Sequence, residues 1–138
     1  MTPVDQQFLH DKEKGIKGDC MRAALASLLD LPITQVPHFA QISSNGAYGF
    51  YTMIEDWLDD LGYRALWGRS MVYMQKPGED LYHLISGPSP RGNGNDLFHC
   101  VVGLNGEPFF DPHPSRAMLA GERAQWRNCF FVRKDDER

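Results

Sequence analysis

The chain is expected to be an α+β protein with helices packed on one face of an antiparallel sheet. Apolar residues recur at helical spacing only in the stretch that ends at Leu61, and shorter, aromatic and β-branched runs separated by turn residues follow. Helices first and strands after is the order of an α+β fold rather than of alternating βαβ units. With 138 residues and 42% hydrophobic content the chain is long enough for one core and too short for two, so a single domain over 1–138 is expected.

Residues 1–18 read as an irregular, charged lead-in. From Cys20 the pattern changes: Met21, Ala24, Leu25, Leu28 and Leu29 follow the spacing of a buried helical face, with Asp19 as N-cap and Pro32 as the stop. In "PITQVPHF" Pro37 forbids a long continuation, so a turn is expected. "SSNGAYG" reads as a loop, and Phe50, Ile54, Trp57, Leu58 and Leu61 then mark a second helix stopped by Gly62. The runs "YRALW", "MVYM" and "LYHLIS" are strand-like, residues 87–96 form a loop, and "FHCVVGL" and "PFFD" flank Asn105-Gly106 as a hairpin. "NCFFVRK" supplies the last strand, and the tail "DDER" should fray.

Charge and apolar content narrow the function classes. A net charge of -4 with no basic stripe argues against a nucleic-acid binder. No stretch has the roughly 18 consecutive apolar residues of a membrane span, and the opening "MTPVDQQFLHDKEK" lacks the apolar core of a signal peptide, so a cytoplasmic protein is expected. Cys20, Cys100 and Cys129 cannot all pair within one chain, and in a reducing compartment they stay thiols.

Cys20 carries the sharpest chemical signal. A cysteine in the first turn of a helix sits where unpaired N–H groups and the helix dipole favour negative charge, which lowers its pKa. A buried packing cysteine is the plain alternative, and what separates the two is a base. His99, opening an apolar strand after a flexible loop, is the best candidate, with Asp111 at the far end of the same hairpin to orient it. Register decides whether they meet. A two-residue Asn105-Gly106 turn puts position 99 opposite 112 and turns Asp111 to the other face. A three-residue loop, Leu104 to Gly106 with a bulge, sets His99 opposite Asp111 with their Cβ atoms about 5 Å apart. A catalytic pair therefore predicts the odd loop.

"GDCMRAALASLLDLPITQVPHF", "HLISGPSPRG" and "HCVVGLNGEPFFDPHPS" resemble the papain-like cysteine peptidase superfamily, specifically small bacterial and bacteriophage proteins related to the C39-like peptidases. The resemblance spans roughly residues 3–119 and implies a papain-like fold. It implies a nucleophile at Cys20, a general base at His99 and an orienting group at Asp111. It also implies an upstream glutamine that helps to form the oxyanion hole. "PVDQQ" offers Gln6 or Gln7, and Gln6 is preferred because it follows "PVD". Ser89, Arg91 and His113 belong to the resembling motifs and become candidate substrate-binding residues. Arg91 suits a carboxylate or phosphate, with a solvated loop arginine as the plainer reading. His113, between two prolines, either rims the cleft or stiffens the turn. His38 reads as an exposed turn histidine or a cleft residue. Cys100 and Cys129 read as core, as do Trp57, Trp67 and Tyr73.

The expected activity is a cysteine-dependent hydrolase that cleaves a peptide, isopeptide or other amide bond, with deamidation or acyl transfer as variants of the same thiol chemistry. No cofactor is expected, and the partner is a protein or peptide substrate in the bacterial cytosol or a phage-infected cell. C39-like peptidases remove leader peptides after a double glycine, usually fused to a transporter. That role fits poorly here, and a free-standing enzyme acting on a host protein, a conjugated modifier or a small amide fits better. A second reading is an idle papain-like module that binds a protein partner in its cleft. A metal site built from Cys20, His99, Cys100, His113 or Cys129 is disfavoured, because Cys-x-x-Cys spacing is absent and adjacent strand residues face opposite ways.

Overall fold

The computed structural model describes residues 1–43, 46–68, 77–92 and 97–136. The strand expected in "MVYM", the packing role expected of Tyr73 and the end of the 87–96 loop fall outside them. Among the described residues three α-helices precede five strands: α1 (Cys20–Leu29), α2 (Phe39–Ile42) and α3 (Gly46–Asp60), then β1 (Tyr63–Gly68), β2 (Tyr82–Pro88), β3 (Phe98–Leu104), β4 (Glu107–Phe110) and β5 (Arg127–Arg133). The sheet order is β1-β5-β2-β3-β4, and every pairing is antiparallel. The protein is therefore α+β, with helices and then an antiparallel sheet in chain order.

The core lies between α1, α3 and one face of the sheet. Met21, Ala24 and Leu25 from α1 and Ile54 and Leu58 from α3 pack with Leu84, Cys100, Val102 and Cys129. Leu84 pairs with both Val102 and Cys129, so three central strands present one apolar row to the helices. The other face buries His83, Ile85, Val101 and Phe130.

Several boundaries differ from expectation for physical reasons. Asp19 takes the N-cap position of α1 as expected, but its side chain makes no cap bond: its buried carboxylate accepts the Phe8 N–H at 2.8 Å and faces Arg22 at 3.4 Å. The oxygen that would have capped the helix instead anchors the lead-in. That lead-in is irregular but stitched down, with Thr2 N–H on Ser27 O, Val4 N–H on Ser27 Oγ and Gln6 N–H on Pro112 O. Helix α1 ends at Leu29 because Asp30 turns left-handed (φ 54°), before Pro32 can act. Helix α3 starts four residues earlier than its apolar stripe suggests: its first turn, with Tyr48 exposed, runs into solvent ahead of the packed face. Gly87 and Pro88 end β2 instead of opening a loop; Pro88 sits at the strand terminus, where a missing donor is tolerated. Residues Lys134–Asp136 form a 3₁₀ turn, held by Lys134 N–H to Gly62 O and by an ion pair of Lys134 to Asp59, where fraying was expected. Among the described residues, no helix is long and apolar enough to cross a membrane.

Candidate active site

The first residue of α1, Cys20, is half-buried at the junction of two clefts. Cys100 and His99 line the first of these clefts beside it. The Cys100 thiol lowers the Cys20 pKa most; burial opposes it, and the His99 bond and charge bring the group well below the ordinary thiol range. Cys100 moves the other way, because burial and then the bond and charge of Cys20 hold its thiol well above that range. The two thiols are thus pushed apart, Cys20 toward the thiolate and Cys100 toward the neutral thiol. Cys100 Sγ also stands 4.0 Å from Met21 Sδ, a weaker acceptor than a thiolate. Cys129 contrasts with both: burial, then the charge of Glu55, pushes it up to about 12, as suits a packing residue.

His99 lies near the start of β3, 5% exposed, with Nε2 at 2.6 Å from Asp111 Oδ1. That leaves Nδ1 as the nitrogen for Cys20. Burial works against a charged ring, but the bonds to Asp111 and Cys20 and their two charges prevail and push the His99 pKa up to about 9. Asp111 is fully buried, and burial alone would raise its pKa. His99, with the N–H groups of His113 at 2.9 Å and Met118 at 2.8 Å, holds it below the usual carboxylate value. The Asp111 loop includes two non-glycine residues in the left-handed region, Arg116 (φ 53°) and Met118 (φ 65°). This strained turn aims the Met118 N–H at Asp111 Oδ2.

The route by which His99 meets Asp111 corrects the sequence expectation. The turn is the two-residue one, with Asn105 (φ 52°) and Gly106 (φ 88°) both left-handed, and Leu104 pairs with Glu107. Such a turn alone would send Asp111 to the wrong face. The parity is restored further along, because Gly103 pairs with Pro108 but Val102 pairs with Phe110, leaving Phe109 as an extra residue in β4. The bulge carries Asp111 toward a place opposite Val101, diagonal to His99 and on its side of the sheet.

The glutamines separate clearly. Gln7 Oε1 accepts from Arg22 on the far side of Asp19, whereas Gln6 lines the cleft beside Cys20, His99 and His113. Gln6 Nε2 donates one hydrogen to Phe8 O at 2.7 Å, and its Oε1 is buried with no partner among the described residues. Gly18 permits this approach, since a Cβ there would stand 3.2 Å from His10 N and 3.4 Å from Gln6 Nε2. Ser89 is buried, and its Oγ accepts the Arg91 N–H at 3.1 Å; both residues and His113 line the same cleft. His113 does both things considered for it: its Nδ1 accepts the Ser115 N–H at 3.0 Å, which stiffens the turn, while its ring lies against His99. His38 is not the exposed turn histidine of the plainer reading. It is half-buried, caps α2 through Nδ1 and donates Nε2–H to Lys17 O at 3.0 Å.

Two contributors escaped the sequence. Alternation correctly placed Cys100 in the core but said nothing of its reach to Cys20, and no sequence signal marks the Met118 N–H. Among the described residues, no group of three or more His, Cys, Asp or Glu side chains is gathered for a metal ion. The chain matches no family model, no curated protein and no solved structure.

Proposed function

We propose that the protein is a papain-like cysteine hydrolase that cleaves a peptide, isopeptide or other amide bond through Cys20, His99 and Asp111. The observation that carries this reading is the 2.6 Å His99–Asp111 bond on an imidazole that lines the same cleft as the Cys20 sulfur at a helix N-terminus. It is also what the resemblance of the Cys, His and Asp motifs to the small C39-like proteins implies.

In the proposed reaction the Cys20 thiolate attacks the carbonyl carbon and the π electrons move to oxygen. That oxyanion takes hydrogen bonds from the Cys20 N–H, which has no intrahelical acceptor, and from the second Nε2 hydrogen of Gln6. As the tetrahedral centre collapses, the C–N bond breaks and His99 gives its proton to the leaving amine, leaving a thioester on Cys20. His99 then takes a proton from water, which attacks the thioester and releases the acid and the thiolate. Asp111 holds the imidazole in place and stabilises its charged form. The substrate is a protein or peptide met in a bacterial cytosol or phage-infected cell.

The test is site-resolved alkylation of Cys20 across pH, read by mass spectrometry, in wild type, His99→Ala and Cys20→Ser. Cys20 should label with an apparent pKa well below about 8.5 and return toward that value in His99→Ala. A Cys20 no more reactive than Cys100 and Cys129 in folded protein would remove the chemistry and leave a binding module.

A further inference from the structure

The cleft through Cys20 has two arms of different chemistry. One, about 160 Å³, lies among Met21, Phe39, Phe50, Tyr51 and Phe98. The other, about 400 Å³, is lined by His10, Lys17, Arg91 and His113, with no Asp or Glu among its described lining residues. Gly18, Cys20, Ala40, Phe98 and His99 form the wall common to both. In a chain of net charge -4, cations gathered on one side of a nucleophile with no carboxylate among the described residues facing them call for an explanation.

These cations stand on anchored backbone. The Arg91 N–H is tied to buried Ser89, and its guanidinium donates to Ser115 Oγ at 3.1 Å, with no carboxylate partner among the described residues. Lys17 is held through its carbonyl by His38 Nε2, and no carboxylate among the described residues faces its ammonium. His113 has Nδ1 occupied as an acceptor, so its neutral ring keeps Nε2–H as a donor. Arg91 can take a carboxylate through two parallel N–H bonds, and Lys17 adds a point charge.

We infer that the basic arm recognises a carboxylate on the substrate, next to the scissile amide, through Arg91 and Lys17. The inference rests on the hydrolase reading and names its substrate class: a peptide with an acidic side chain or a free C-terminus beside the cleaved bond, and an apolar side chain in the other arm.

The experiment compares the alkylation rates of Cys20 with iodoacetate, an anion, and iodoacetamide, its neutral analogue. The proteins are wild type, Lys17→Gln, Arg91→Gln, the double variant, and Arg133→Gln as a control for net charge. The two cleft residues are exposed, so their variants should fold. Each cation near the thiol favours the anionic reagent by roughly two- to threefold at low salt, so the iodoacetate-to-iodoacetamide ratio should fall about four- to ninefold in the double variant. Arg133→Gln should leave it in place. An unchanged ratio at a reactive Cys20 overturns the carboxylate site and leaves the hydrolase reading standing; an inert Cys20 overturns both. Protection of wild-type Cys20 from iodoacetamide separates the two sources of carboxylate, using acetyl-Phe-Gly-Glu-amide, acetyl-Phe-Gly-Gln with a free terminus and acetyl-Phe-Gly-Gln-amide. Better protection by the first assigns an acidic side chain and by the second a chain terminus. Equal protection by all three overturns the proposal.

Discussion

Replacing Asp111 with asparagine isolates the charge that holds His99. The His99 pKa rises from 6.5 to about 9 against the opposing effect of burial, which at about 1.4 kcal/mol per tenfold corresponds to about 3 kcal/mol of preference for the charged ring. Asp111 and Cys20 share that preference. Asp111→Asn keeps the side-chain volume and can still accept one of the two N–H bonds from His113 and Met118, but it removes the negative charge at 2.6 Å from Nε2. The His99 pKa should therefore fall by about one pH unit or more, and the Cys20 thiolate, deprived of a charged neighbour at higher pH, should need a higher pH to form. The assay is an NMR titration of the His99 ring with a parallel titration of the thiolate ultraviolet band.

Stability should follow the same linkage. A group whose folded pKa lies above its unfolded value stabilises fully below the unfolded value, here 6.5, and loses that contribution as pH rises through about 9. The advantage of wild type over Asp111→Asn, at most about 3 kcal/mol from this ring, should thus shrink between those two values. If His99 titrates at the same pH in both proteins, Asp111 does not set its charge and the argument fails.

Three further substitutions, at Cys100 and Gly103, probe the supports. Cys100→Ala should raise the Cys20 pKa, because the Cys100 thiol is the largest influence lowering it, and Cys100→Ser should restore part of the drop by donating from oxygen; alkylation rate against pH reads both. Gly103→Ala should cost about 1–3 kcal/mol in thermal denaturation, since its Cβ would stand 2.5 Å from His83 Cε1 and 2.8 Å from two Ile85 atoms in a packed layer.

How far the sequence carried depended on whether a feature was periodic. Apolar spacing located α1, α3 and most of the strands, because burial of one face is what makes those segments helices and strands. The position of Cys20 at a helix start followed from the same pattern. Ends were less legible. The Asp19 carboxylate was drawn off by a backbone N–H eleven residues earlier in sequence, and the β2 terminus was extended past a Gly-Pro pair by its pairing with Phe98 and His99. Contacts set by tertiary packing left no trace in the sequence: the placing of Cys100 beside Cys20 and the Met118 N–H on Asp111 depend on how α1 and the 111–118 turn settle on the sheet.

The hairpin shows why a correct pair can rest on an incorrect turn. Parity requires an odd shift between Asn105-Gly106 and Asp111, and it does not specify where the shift occurs. An extra residue in the loop and an extra residue in β4 satisfy it equally, and Phe109 takes the second option. Deleting Phe109 should therefore be benign for the site, although it lies two residues from Asp111. Without it, Pro108 still pairs with Gly103 and Phe110 still pairs with Val102, so Asp111 keeps its place relative to His99. The cost should be the ring contact of Phe109 with Tyr82, about 1 kcal/mol in denaturant unfolding. Inserting a glycine between Phe110 and Asp111 changes the parity instead, and should bring Cys20 alkylation close to that of Asp111→Asn. If the deletion is as damaging to Cys20 reactivity as the insertion, the bulge does more than adjust register, and the hairpin holds Asp111 by some means other than strand parity.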